Sequence, residues 1–544
     1  MRRIAALFLG LVFVSMAFTA GSERAARRSV WNGQSAQLGE VNFETSCAPQ
    51  VKPTMDRAVA LLHSFQYQQA ESAFGDAARQ DSHCAMAYWG KAMSLYHQLW
   101  DFPDADTLAK GCADVEQAQK LSAKTPTERD YIAAAAAFYQ DKAGLSHKAR
   151  TAAYAQAMEA VYKDSPQDPN AAGFYALALI NLADYEDELA NRKQAIAILQ
   201  PMFKLHPDNP GLAHYLIHAT DTPALAPLGL EAARRYAKIA PDSSHALHMP
   251  SHIFTRLGLW QESIDSNIAA AEAARKATLS HEADADYQLH AMDFLNYAYL
   301  QSGQEAKARQ VLGDVKTVPG ATAGEIADHQ GWFAARIALE LHRWKQSAAL
   351  PLPNVKLSSQ DSTYFVRAIG AARSGDPQAA RAALTKLKDA IEAQRSEAKE
   401  MGYSAESGPS TEQQEAEAWI DFAAGKRDEA LKTLRDAAER EDGAGGVVLG
   451  PPAARVGSLT MPAREMLGDM LLEAKRPKEA LEAYKIAIEE SPNRFDGLWG
   501  AAQASKAAGD RTAASQYYSK LLAICGAGAD RPEVRQAREY ASAQ

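Results

Sequence analysis

A frame of small, bulky and apolar residues recurs along most of this chain. In Glu479–Pro492 (EALEAYKIAIEESP) it reads Ala480, Tyr484, Ala487, Pro492; in Gln194–Pro207 (QAIAILQPMFKLHP) it reads Ala195, Leu199, Met202, Pro207. The same steps fit Ala70, Phe74, Ala77 and Ser82 near the start, and Ala430, Leu434, Ala437 and Ala514, Tyr518, Leu521 near the end. Steps of three and four keep residues on one helix face. Short turns such as Gly425-Lys426-Arg427-Asp428 and Gly509-Asp510-Arg511-Thr512 precede the frame, and a Pro ends several copies. Strand-type alternation is nearly absent. A chain of 544 residues is too long for one ordinary core, and a repeat array removes that difficulty.

On these residues the chain resembles the tetratricopeptide repeat, a helix–turn–helix unit of 34 residues. The resemblance covers about Val51 to Cys525. It implies an all-α solenoid of helical hairpins, a right-handed superhelix of roughly eleven or twelve units. The expected organisation is a leader over 1–20, an extension over 21–50 and an N-terminal and central array over 51–400. A polar loop over 401–413, a C-terminal array over 414–525 and a tail over 526–544 follow. An insertion at Asp184–Arg192 and a spacer at Lys276–Tyr287 interrupt the period. A continuous solenoid across 401–413 is an equal alternative. The Gly-rich stretch Asp442–Pro452 (DGAGGVVLGPP) lacks the Lys-Ser/Thr of a phosphate-binding loop.

Arg2 and Arg3, then the apolar run Ile4–Phe18, then small residues read as a secretory signal. The run is shorter than the ~20 residues of a spanning helix. The expectation is an exported protein, periplasmic or secreted. Four cysteines make no disulfide framework in this length. Cys47 and Cys84 each precede a helix of neighbouring repeats, so a bridge and two buried thiols are both open. With Lys plus Arg at 58 and Asp plus Glu at 67, a net charge of −9 argues against nucleic acid as the main partner.

Function in a repeat array falls on its extended concave surface. His214 and His218 are four apart, as are His248 and His252, and each of the second pair lies 34 residues after its counterpart. Residues four apart share a face, about 6 Å between Cβ atoms. One repeat later the same slots face the same way, so four imidazoles form a two-by-two patch. His245, His290 and His329 fall in equivalent slots, with Asp293, Tyr297, Trp332 and Arg336 on the same face and Asp221 and Arg256 at its edge. Trp89, Met93, Tyr96 and His97 take the corresponding face of an early repeat. Pro250, between His248 and His252, kinks its helix.

Two chemistries fit this set. Neutral imidazoles suit Zn, Cu or Ni, so His214, His218, His248 and His252 are candidate ligands of a divalent transition metal, Zn or Cu first. HYLIH lacks the Glu of HExxH, so no metalloprotease motif is present. Alternatively the groove of His214, His218, His245, His248, His252 and His290, with Asp293, Tyr297, Trp332 and Arg336, holds a peptide, a protein partner or a small ligand. No Gly-x-Ser-x-Gly elbow and no GxGxxG occurs, and the first expectation is a non-enzymatic scaffold.

CAMAYWGKAMSLYHQLW, HALHMPSHIFTRLGLW and PAREMLGDMLLEAKRPKEALEAYKIAIEESPNR resemble segments of exported bacterial tetratricopeptide-repeat proteins. That resemblance implies the fold and peptide or protein binding in the groove. The His and aromatic residues depart from the Lys/Asn/Arg groove of chaperone-binding members.

Overall fold

In the computed structural model, described over residues 36–99, 102–121, 123–139, 144–183, 188–400, 408–443 and 461–542, the repeat frame becomes a packing rule. The bulky residue of one second helix wedges between the first helices on either side of it. Tyr484, in the helix Pro477–Glu490, lies so close to Gly468 and Gly500 that a Cβ at those positions would sit 2.6 and 2.2 Å from its ring. Phe74 meets Gly90 in the same way, at 2.2 Å. A methyl group at these glycines would force hairpins apart, and interiors this dense do not absorb such a shift.

The described residues form twelve helical hairpins, from Lys52–His63 with Tyr67–Gln80 through Phe495–Ala507 with Arg511–Ile524, closed by the helix Pro532–Ser542. No strand occurs among them. The chain is an all-α solenoid of stacked hairpins. Contacts separate Met1–Ala36 from Gln37–Gln544, and all that follows concerns the second unit. The leader expected over 1–20 and most of the Gly-rich stretch after Asp442 lie outside the described residues. So do 184–187 of the insertion and 401–407 of the polar loop, while Glu188–Arg192 belongs to the helix Glu188–Leu205. Stacking continues past that loop, with Asp361–Arg373 packed on Thr411–Ala423. No described helix is long and apolar enough to cross a membrane.

Most described turns between the two helices of a hairpin contain a left-handed residue. Gly258, Gly303, Gly375, Gly425 and Gly509 supply it, with φ between 63° and 85°. Four hairpins use Phe65 (φ 52°), Leu99 (φ 63°), His342 (φ 50°) and Lys475 (φ 63°) instead. A residue with a Cβ is strained there by about 1–3 kcal/mol.

The superhelix winds tightly enough to meet itself. The first helix, Lys52–His63, packs on Pro210–Thr220, four hairpins later, and Asp286–Gln301 packs on Phe495–Ala507. An N-terminal strap crosses the first turn: the Gln37 N–H donates to Asp242 (2.7 Å) and the Glu40 N–H to the Asp208 carbonyl (2.8 Å). Phe43 inserts between Trp89 (5.3 Å) and Tyr131 (5.5 Å). A Cys47–Cys84 disulfide pins the strap to the second hairpin. Near the other end, the Trp260 indole N–H donates to the Asn493 carbonyl at 2.7 Å. Much of the inner face of the solenoid is therefore interior.

Candidate functional site: a six-histidine core

Three first helices converge below the opening hairpin. Pro210–Thr220 starts on an Asn209 cap whose side chain accepts the Leu212 N–H at 3.1 Å, with Pro210 in the first turn. It carries His214 and His218. The next first helix is broken, as Ser244–His248 and Pro250–Arg256, because Pro250 has no N–H to give the Ala246 carbonyl. It carries His245, His248 and His252. His290 comes from Asp286–Gln301.

These six of the chain's fourteen histidines form two triads. One ligand nitrogen from each of His214, His218 and His245 lies within 4.8 Å of the others, and the same holds for His248, His252 and His290. The quartet read from sequence as one ligand set is thus divided, His214 and His218 in one triad, His248 and His252 in the other, each completed by a further ring. The triads abut. Ring centroids are 6.0 Å apart for His218 and His252, and 6.1 Å for His245 and His248. Within the triads, His214–His245 is 4.8 Å and His248–His290 is 4.5 Å. His214, His245, His248 and His252 are buried, whereas His218 and His290 keep partial exposure.

The outward nitrogens are held by groups that only accept. His214 Nδ1 faces the His63 carbonyl at 2.6 Å, and His252 Nδ1 faces the Asp221 carboxylate at 2.8 Å. His248 Nδ1 faces Asn267 Oδ1 at 2.7 Å; that amide is oriented by its own NH2, which donates to the Ser263 carbonyl. Each Nδ1 must therefore carry the proton. In a neutral ring this leaves Nε2 as a bare lone pair. His248 Nε2 lies 3.1 Å from His252 Nε2, and the His214 Nε2 lone pair lies 3.1 Å from His245 Nε2, within hydrogen-bond reach. His218 Nε2 is buried without a hydrogen-bond partner.

Burial keeps five of these rings neutral. It pushes the imidazolium pKa of His214 down to about 3 and that of His290 to about 4, and holds His218, His245 and His248 well below the usual histidine range. Neighbouring imidazoles add to this depression. Burial would raise the Asp221 carboxyl, but Arg256 (2.9 Å) and His252 outweigh it and keep the group ionised.

The other residues singled out from sequence lie elsewhere on the inner face. Asp293, one turn beyond His290, is paired with Arg336 at 2.6 Å and accepts from the Trp332 indole at 2.9 Å. Arg336 lies over the Tyr297 and Trp332 rings. The Tyr297 hydroxyl meets Arg494, which bridges Glu340 (2.9 Å) and Glu465 (2.8 Å). His329 bonds to the Glu325 carbonyl of its own helix and joins neither triad. Trp89 and Met93 are core, Tyr96 bonds Asn181 (2.8 Å), and His97 stacks on Tyr67 at 4.2 Å.

Sequence reasoning passed over Phe65, His63 and Asn267. Phe65 stacks on His218 (5.6 Å) and His245 (5.4 Å) and sets its edge to His214 (4.4 Å). Its signal was an aromatic residue where five other turns have Gly. His63 fits only because Gly211 lacks a side chain: a Cβ there would lie 2.4 Å from the imidazole. Tyr215 (3.0 Å) and Asn170 (3.1 Å) hold that ring.

No protein-family model and no curated protein matches the sequence. Among solved structures the chain is similar to the human IFIT1 dimer with m7Gppp-AAAA, at 12% identity and a TM-score of 0.36, over 90% of this chain and 98% of that one. It is also similar to the APC/C hetero-tetramer Cut9-Hcn1, at 11% identity and a TM-score of 0.34, over 74% and 73%. At these scores the likeness carries no argument about what this chain binds.

Proposed function

We propose that this helical repeat scaffold is a metal-binding protein whose six central histidines hold transition-metal ions, one per triad. The observation that carries the reading is the tautomer lock. Oxygen acceptors fix the protons of His214, His248 and His252 on Nδ1 and aim three Nε2 lone pairs inward, two pairs of Nε2 atoms standing 3.1 Å apart. The His248 and His252 lone pairs repel at that distance when both rings are neutral. An ion bonded to both at 2.0–2.1 Å would subtend roughly 100°, near the tetrahedral angle. Carbonyl or carboxylate partners on the far nitrogen are how metal-ligating histidines are oriented.

The ligand set is all imidazole, which suits Cu, Zn or Ni over Mg or Ca. Three protein ligands leave an open position at each ion. A peptide-holding groove receives less support, since the rings lie against one another, against Phe65 and against Phe294 (4.6 Å from His248). The Cys47–Cys84 bridge and the Arg2-Arg3 leader together support an exported protein, periplasmic or secreted.

Elemental analysis of untagged protein, reconstituted with Cu or Zn and desalted, tests the reading. About two ions per chain are expected, and none in His214→Ala/His248→Ala. Absence of stoichiometric metal in the folded native chain overturns it.

A further inference from the structure

Resting on that reading, we propose that the two triads form one dinuclear copper centre that binds dioxygen as a bridging peroxide. Three observations lead there. The triads are side by side: ring separations across the boundary, 6.0 and 6.1 Å, are little more than the 4.8 and 5.0 Å inside them. Ions seated in the two sets are neighbours, and two adjacent ions clamp a small oxygen ligand between their open positions.

The second observation is charge. Asp221 and Asp293, the carboxylates that act on these rings, are each already held by a guanidinium, Arg256 at 2.9 Å and Arg336 at 2.6 Å. Neutral imidazoles add nothing. Two divalent ions would bring four positive charges into a buried site with little to offset them, which is costly. Two Cu(I) ions bring two. Dioxygen then takes one electron from each copper, the O–O bond becomes a single bond, and peroxide bridges two Cu(II). No proton is needed. The centre carries two positive charges before and after, so the surroundings need not rearrange.

The third observation is access. One ring of each triad, His218 and His290, keeps partial exposure while the other four are buried. A diatomic molecule passes where a peptide side chain does not.

The test loads the full-length chain anaerobically with Cu(I) acetonitrile complex and then admits dioxygen. The expected result is two coppers per chain, one dioxygen consumed per two coppers, an intense near-ultraviolet charge-transfer band and no Cu(II) EPR signal. His245→Ala, with its helical circular dichroism intact, should keep one copper and lose dioxygen uptake. His329→Ala should behave as the parent chain. One copper per chain, or two coppers that oxidise to magnetically isolated Cu(II), overturns the dinuclear proposal and leaves metal binding standing. A His245→Ala chain that still takes up dioxygen overturns it as well. Failure to bind any stoichiometric metal removes the underlying reading instead.

Discussion

The inner face of this solenoid carries two polar cores, one of charges and one of imidazoles. Between Asp293 and Arg531 each named charge meets its opposite: Arg336 with Asp293, Arg494 with Glu340 and Glu465, Arg531 with Asp496. Between His214 and His290 two pairs of rings set Nε2 against Nε2. The charged core is held by ion pairs even where single atoms such as Glu465 Oε2 and Asp496 Oδ2 lack a hydrogen-bond partner. The histidine core has no ion pair between its rings and leaves His218 Nε2 without a partner. Its inward nitrogens are metal-ligand atoms rather than fixed charges.

Removing one charge from the ion-paired core should have the largest effect. Arg494→Met leaves Glu340 and Glu465 buried without their partner, and urea unfolding should show a loss of about 3–5 kcal/mol. Metal added at a thousand times its dissociation constant should raise the stability of the parent chain by about 4 kcal/mol. It should do nothing for His214→Ala/His248→Ala, and equal shifts in both would dissolve the contrast.

Acidity should act on the two halves of the chain in opposite directions. Burial holds the His63 imidazole, which anchors the first hairpin beside the triads, at about 4 against 6.5 unfolded. A depressed folded pKa means the unfolded chain binds the proton first. That stability is complete above pH 6.5 and falls as pH drops toward 4, by up to about 3 kcal/mol at 1.36 kcal/mol per pKa unit. In the C-terminal half, burial raises the Glu441 carboxyl to about 7 from 4.5. Its contribution is complete below pH 4.5 and fades as pH rises through 7. Hydrogen exchange at pH 5 and pH 7.5, on metal-free protein, should show protection moving from one half to the other.

Asn267→Leu keeps the volume but frees His248 Nδ1 from its acceptor. Metal affinity should drop about 10–100-fold, read by competition with a chelator. The smallest effect separates strain from purpose. Lys475 is exposed and left-handed, so Lys475→Gly should stabilise by about 1 kcal/mol. Phe65→Gly relieves the same strain but should destabilise, because its ring packs on three imidazoles.

Much of this was legible from spacing. The frame of Ala480, Tyr484 and Ala487 fixed hairpins because helix pairs need a small residue where they cross and a large one where they part. The interval of 34 brought His214, His218, His248 and His252 to one face, and removing spacers added His290. The partition into triads was not legible, since it depends on how a broken helix rotates His245 away from His248. Asp293, Tyr297, Trp332 and Arg336 share the face but spend their polar atoms on one another and on Arg494, a partner 197 residues from Tyr297. Nor did any period point to His63, whose carbonyl serves a ring 151 residues away.

Most solenoids are held by nearest neighbours, so losing an end hairpin only shortens them. Here the Lys52–His63 helix is at once the first α-helix among the described residues and a wall of the histidine chamber. The chamber cannot be completed until the hairpin bearing His290 has emerged and the chain has wound back onto its own beginning. A chain clipped after the Lys52–His63 helix would keep its other helices and lose the keystone, so this array should melt as an arch does rather than fray as a stack.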